Sequence, residues 1–171
     1  MRWVLIWFAL FIAVISVAFF AVNFVAFPLK FKKEIRAAAE VHSVDKALIA
    51  AVIRAESRFR QDAVSHRGAI GLMQIMPNTG TFIAVKMGKS EFDLFNPNDN
   101  ISMGVWYLRY LLDRFKGDTK TALIAYNAGE GNVSRWLTAA GTDKLSTSPY
   151  KETNAYLEKV LNARNFYRLR I

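Results

Sequence analysis

The chain has 171 residues, and 23 Lys and Arg against 14 Asp and Glu leave a formal charge of +9. The absence of cysteine excludes disulfides, a thiol nucleophile, a cysteine-ligated metal and a lipid on an N-terminal cysteine. The positive surplus suits an anionic polymer or a membrane surface; the basic residues are scattered rather than gathered in one block, so a nucleic-acid partner is the weaker reading and a generally basic solvated surface fits at least as well.

The first element is apolar. From Trp3 to Phe27 there is no charged residue, and only Ser16 and Asn23 are polar. As a helix this run would be about 37 Å long, against a hydrocarbon core of about 30 Å. Residues 1–29 are therefore expected to form a transmembrane anchor, and residues 30–171 a single domain. A cleaved signal peptide is the competing reading. Ser16-Val17-Ala18 offers a small-x-small site, but the apolar run continues from Phe19 to Phe27 beyond it, longer than the usual signal region. Lys30, Lys32, Lys33 and Arg36 follow the run, and only Arg2 precedes it. That bias alone would hold the domain in the cytoplasm.

Helix signals dominate the remainder. Lys32 to Val41 reads as a short helix. Ser43 or Asp45 can cap the next, which runs through Glu56. Ser57 to Ile75 contains Gly68 and Gly71 and reads as a loop. Pro77 suits the first turn of a helix ending near Gly88, and FDLFNPNDN is a turn-rich connection. Ile101, Val105, Leu108 and Leu112 predict a helix over Asn100 to Phe115. Further helices are expected over Thr119 to Ala128, over Val133 to Ala139, and from Pro149 to about Arg168. No segment alternates like a strand, so the expected fold class is all-α, a globular set of short helices.

One residue breaks the helical pattern. With Val44 to Phe59 taken as helical and Leu48 at zero, Val52, Ile49 and Ile53 define an apolar arc from 0° to about 140°, and Glu56 falls inside it at about 80°. Arg54 and Arg58 fall on the far side. A carboxylate on a core-facing line is rare without a partner. Either the line ends there at a solvent-exposed rim, or the protein wants a carboxylate in an apolar setting, where a raised pKa would let Glu56 keep a proton to donate near neutral pH.

Two other stretches have the composition of a site. GAIGLMQIMPNTG, residues 68–80, is a loop rich in apolar residues around one amide, Gln74. It would serve as a pocket wall that orients a polar ligand, or would pack on the core with Gln74 bonded to backbone. AYNAG, residues 125–129, closes a helix, with Gly129 as its stop signal. Tyr126 and Asn127 there are either ligand contacts or packing and capping groups. The run NPNDN resembles the opening of a calcium loop, but Ile101 stands where that loop needs glycine and Tyr107 where it needs glutamate, so no metal is expected. His42 and His66 are isolated and lack metal-site spacing.

Together, ESRFRQDAVSHRGAIGLMQIMPNT, NPNDNISMGVWYL, ALIAYNAGEGNVSRW and PYKETNAYLEKV resemble the lytic transglycosylases of the soluble (SLT, goose-lysozyme-like) family, over residues from about 35 to 165. The order and spacing of four separate motifs carry the likeness. It implies a lysozyme-like fold and cleavage of the β-1,4 bond between N-acetylmuramic acid and N-acetylglucosamine in peptidoglycan, with no cofactor. It makes Glu56 the catalytic acid and base. Ser65 would lie near the substrate N-acetyl group, and Gln74 and Met76 would line the glycan groove. Tyr126 would lie near the catalytic carboxyl with Asn127 beside it, and Glu152 would be a groove carboxylate from the last helix.

In that family the substrate's own N-acetyl oxygen is thought to stabilise C1. The glutamate then deprotonates the 6-hydroxyl, leaving a 1,6-anhydromuramic end. Most glycosidases use two carboxylates, and Asp62, the nearest acidic residue in sequence, matches no catalytic position. A hydrolytic muramidase and a non-catalytic peptidoglycan-binding protein are the alternatives. A peptidoglycan substrate would put residues 30–171 in the periplasm, against the local charge bias.

Overall fold

A computed structural model describes residues 2–171, except the side chains of Val4 and of residues 18–26. Among the described residues the secondary structure is helical. In chain order the helices are α1 (Arg2–Ala26), α2 (Lys32–His42), α3 (Lys46–Glu56), α4 (Pro77–Met87), α5 (Pro97–Arg114), α6 (Thr119–Ala128), α7 (Glu130–Ala140) and α8 (Lys151–Tyr167). No strand forms among these residues. The loop 57–76 has only the isolated bridges Val64 to Ile70 and Ile70 to Ile75.

Among the described residues no helix is long and apolar enough to cross a membrane. In α1 the continuous described side chains run from 5 to 17, too short to span, and residues 18–26 of the expected anchor lie outside them.

The centre of the domain is α3. Asp45 caps it, accepting a hydrogen bond from the Ala47 amide at 2.9 Å, and every residue from Ala47 to Ile53 is buried. This corrects the one-sided arc expected from the sequence, because α3 is covered all round. Its alanines at 47, 50 and 51 are small enough to let neighbouring elements approach on the sides away from the leucine and isoleucines. The helix packs chiefly against α8 and also against α2, while α5 packs against α2, α4 and α6. Buried Ile, Leu and Val side chains in this core each contribute about 1.5–3 kcal/mol.

Helix ends follow local chemistry. α5 begins at Pro97, earlier than expected, because the Asn96 side chain accepts from the amides of Asn98 (2.9 Å) and Asp99 (3.4 Å). The NPNDN run is thus a cap with proline in the first turn. α7 also starts earlier than expected, directly after Gly129, which serves both as the end of α6 and as the residue before α7. α3 stops at Glu56, and Arg58 and Phe59 lie outside it in left-handed conformation, so Arg58 is not on the far face of the helix.

Candidate active site

Glu56 is the last residue of α3, half-buried where the helix gives way to the loop 57–76. Burial pushes its carboxyl up from the ordinary value of 4.5 to about 7, with Tyr156 and Lys159 pulling more weakly the other way. No carboxylate is among the groups acting on it, and Asp62 is exposed. The Tyr156 hydroxyl from α8 is buried beside Glu56. It lacks a hydrogen bond of ordinary geometry, and burial together with the Glu56 charge raises its pKa well above the usual tyrosine value. Lys159, one turn on, donates to the Ala55 carbonyl at 2.8 Å, and burial lowers its pKa.

The loop is fixed against this helix end by buried polar groups. Ser57 Oγ lies 2.8 Å from the Leu72 carbonyl and 3.1 Å from the Ile53 carbonyl. Asn100, buried in α5, accepts from the Met73 amide (2.7 Å) and donates to the carbonyls of Ile70 (2.9 Å) and Leu94 (2.8 Å). Gly71 has a φ of +79°, and a Cβ there would lie 2.2 Å from the Asn100 amide nitrogen, so the loop needs glycine for both reasons. A Cβ on Gly104 would likewise lie 2.5 Å from the Met73 sulfur, so α5 and the loop touch through glycine.

Tyr126 completes the bracket. Its hydroxyl donates to the Met73 carbonyl at 2.9 Å. Burial first, then the Glu56 charge, raises its pKa well above the usual value. From Tyr126 a line of half-buried aromatic rings runs along α5, with centroids 5.7 Å apart to Tyr107, 5.9 Å on to Tyr110 and 5.7 Å on to Trp106. Tyr107 is pushed up to about 12 by burial, and Tyr110 donates to Glu130 at 3.1 Å.

Of the residues singled out in the sequence, Glu56 and Tyr126 lie together. Gln74 sits in left-handed conformation in the loop. Its side-chain nitrogen donates to the carbonyls of Gly71 (2.8 Å) and Ala63 (3.1 Å). The alternative of backbone bonding is therefore realised. Both partners are acceptors, so the amide oxygen is turned away from them. Asn127 accepts from Thr153 at 2.8 Å, tying the end of α6 to the start of α8, where Glu152 is exposed in the first turn. Met76 is 41% exposed. Ser65 Oγ accepts from the Ala69 amide at 2.9 Å and closes a turn. Among the described residues no hydrogen bond or ion pair joins Ser65, Met76 or Glu152 to Glu56.

Sequence reasoning missed Tyr156, Ser57, Asn100 and Lys159. Tyr156 had the same signal as Glu56, a polar tip within the buried line Thr153, Tyr156, Leu157, Val160, Ala163 and Tyr167. An open cavity of about 860 Å³ at the ends of α5 and α7 includes none of these residues, and its Arg114 and Lys116 are engaged by Glu130 and Asp143.

Residues 33–148 match the family described as the transglycosylase SLT domain. The chain is 34% identical over 152 residues to the soluble lytic murein transglycosylase of Escherichia coli K12, covering 83% of this chain and 23% of that protein. It is 32% identical over 169 residues to the membrane-bound lytic murein transglycosylase C of Serratia proteamaculans, covering 82% of this chain and 47% of that protein. The chain thus spans 23% and 47% of the length of these two curated relatives. Among solved structures, an inactive glutamate-to-glutamine mutant of the lytic transglycosylase Slt from Pseudomonas aeruginosa is similar, with a TM-score of 0.77 at 30% identity over 86% of this chain and 25% of that one. A 70 kDa soluble lytic transglycosylase in complex with bulgecin A gives a TM-score of 0.78 at 30% identity over 84% of this chain and 25% of that one.

Proposed function

The chain belongs to the transglycosylase SLT family, and from that premise we propose that it cleaves the β-1,4 bond between N-acetylmuramic acid and N-acetylglucosamine in peptidoglycan, leaving a 1,6-anhydromuramic end. The observation that carries this reading is Glu56, a lone carboxyl held near a pKa of 7 by burial and flanked by tyrosines rather than by a second carboxylate. A group poised there is protonated often enough to donate to the leaving oxygen. Once ionised it is basic enough to take a proton back. The glycosidic C1–O bond breaks as Glu56 gives its proton to the departing N-acetylglucosamine oxygen. The muramic 6-oxygen then bonds to C1 as its proton passes to Glu56, so the carboxyl ends as it began and no water is consumed. A tethered hydroxyl held in line competes well against water.

In this reading Tyr126 orients the groove wall through Met73. Gln74 presents its amide oxygen, and Ser65, Met76, Asn127 and Glu152 contact the glycan strand. The aromatic line from Tyr107 to Trp106 offers flat faces for the pyranose rings. The glutamate-to-glutamine inactivation named for the Pseudomonas aeruginosa relative is consistent with one essential glutamate. The uncharged run from Trp3 to Phe27 is the support for an uncleaved single-pass anchor of residues 1–29 in the inner membrane, with residues 30–171 as the periplasmic catalytic domain. A membrane-bound relative is consistent with it. The test of the reaction is digestion of purified peptidoglycan in heavy-oxygen water. Anhydro ends free of label are expected, and label in the new muramic terminus would mean hydrolysis.

A further inference from the structure

The point where α1 leads into the domain is gripped by the C-terminal end of the chain. Phe27 stacks on Phe166 with centroids 4.2 Å apart, and the Arg54 guanidinium lies 4.1 Å over the Phe27 ring. The buried Tyr167 donates to the Pro28 carbonyl at 2.7 Å, and Arg170 donates to the Phe27 carbonyl at 2.5 Å. Chain ends are usually loose unless tied down, and here two backbone carbonyls and two aromatic rings are used to tie one. Around the grip the surface is basic. Lys30, Lys32 and Lys33 follow Pro28 within five residues and are exposed, as is Arg168, which also approaches Asp45 at 3.9 Å. Glu34, half-buried, is the acidic residue of that stretch. Leu169, among these groups, is 87% exposed.

We propose that this face, with Lys30, Lys32, Lys33, Arg168 and Leu169 around the gripped Phe27–Pro28 segment, rests on the anionic phospholipid headgroups of the membrane that α1 enters. The inference depends on α1 being an anchor. A stiff joint keeps this face at the membrane surface, because Pro28 is held by Tyr167 and the first lysine lies only two residues on. Several lysines and arginines within a Debye length of an anionic leaflet attract it additively. An apolar side chain among them suits the boundary between headgroups and acyl chains. It also gives the positive charges a use on the outer face, where the positive-inside tendency would not put them.

The absence of cysteine makes the test clean. Full-length chain with Leu169→Cys, carrying a nitroxide on its only thiol, is reconstituted into vesicles of phosphatidylcholine alone or mixed with phosphatidylglycerol. The accessibility of the label to a water-soluble nickel chelate is then measured by electron paramagnetic resonance. We expect a several-fold lower accessibility in the mixed vesicles, restored by the combined changes Lys32→Glu, Lys33→Glu and Arg168→Glu. A carbonate wash reports α1 separately. Chain retained by the vesicles with equal accessibility in both lipids overturns this proposal and leaves the anchor standing. Chain removed by the wash overturns the anchor and the proposal with it. A several-fold drop that survives the three charge reversals also overturns it, since headgroup charge would then not be the cause.

Discussion

Replacing Glu56 by glutamine separates the chemistry of the site from its cost in stability. The folded carboxyl has a pKa of about 7 against an ordinary 4.5. A carboxyl whose pKa is higher in the folded state holds its proton more tightly there. The stability this gives is fully present below about pH 4.5 and is lost as the pH rises through 7. At 1.36 kcal/mol per pKa unit the ceiling of that loss is about 3 kcal/mol, and with Glu56 only half-buried we expect about 2 kcal/mol after solvent screening. Glutamine has the same shape and never ionises. Full-length wild type and Glu56→Gln in detergent should therefore melt together at pH 4, while at pH 8.5 the variant should melt about 4–8 °C higher. Its cleavage of peptidoglycan should be abolished at both values. Because the comparison is a difference of differences, the titration of every group not coupled to Glu56 cancels. Melting temperatures that stay parallel from pH 4 to 8.5 would refute the low-dielectric setting of Glu56. Retained cleavage by a folded variant would refute its role.

Other expectations concern the groups around it. Tyr156→Phe removes a buried hydroxyl that lacks a hydrogen bond of ordinary geometry yet pulls the Glu56 pKa down from beside it, so the pH–rate profile should move to higher pH while stability holds or rises slightly. Asn100→Ala removes three hydrogen bonds, two that fasten the loop to α5 and one to the Leu94 carbonyl before α5, and should cost about 3 kcal/mol in denaturant titrations, with KM for glycan strands rising. Gly104→Ala puts a methyl against the Met73 side chain and should cost about 1–3 kcal/mol by overpacking, read in the same titration.

The sequence made some of this legible and hid the rest for physical reasons. Glu56 stood out because a charge on an apolar helical line violates burial preferences, a local and periodic signal. Helix ends were readable where a cap or glycine marks them, as at Thr119 to Ala128. They were misplaced where a side chain reaches forward, as Asn96 does to begin α5. Ser57 and Asn100 were invisible as scaffold because their partners lie 15 and 27–30 residues away, in carbonyls and amides that every residue possesses. The roles of Ser65, Met76 and Glu152 came from resemblance alone. Their local settings are a turn, an exposed thioether and an exposed carboxylate on a first helical turn, and among the described residues no hydrogen bond or ion pair joins them to Glu56.

Ser57 has one hydroxyl proton and two carbonyls within its reach, one from the last turn of α3 and one from the loop 57–76. A single proton cannot serve both acceptors fully, so the hydroxyl works as a swivel. If the loop carbonyl moves off, the proton turns wholly to the Ile53 carbonyl and the turn carrying Glu56 keeps its stay; if the turn loosens, the proton goes to the loop. Either part can shift without orphaning the buried hydroxyl, so the loop can give way to a ligand while the carboxyl stays at its post.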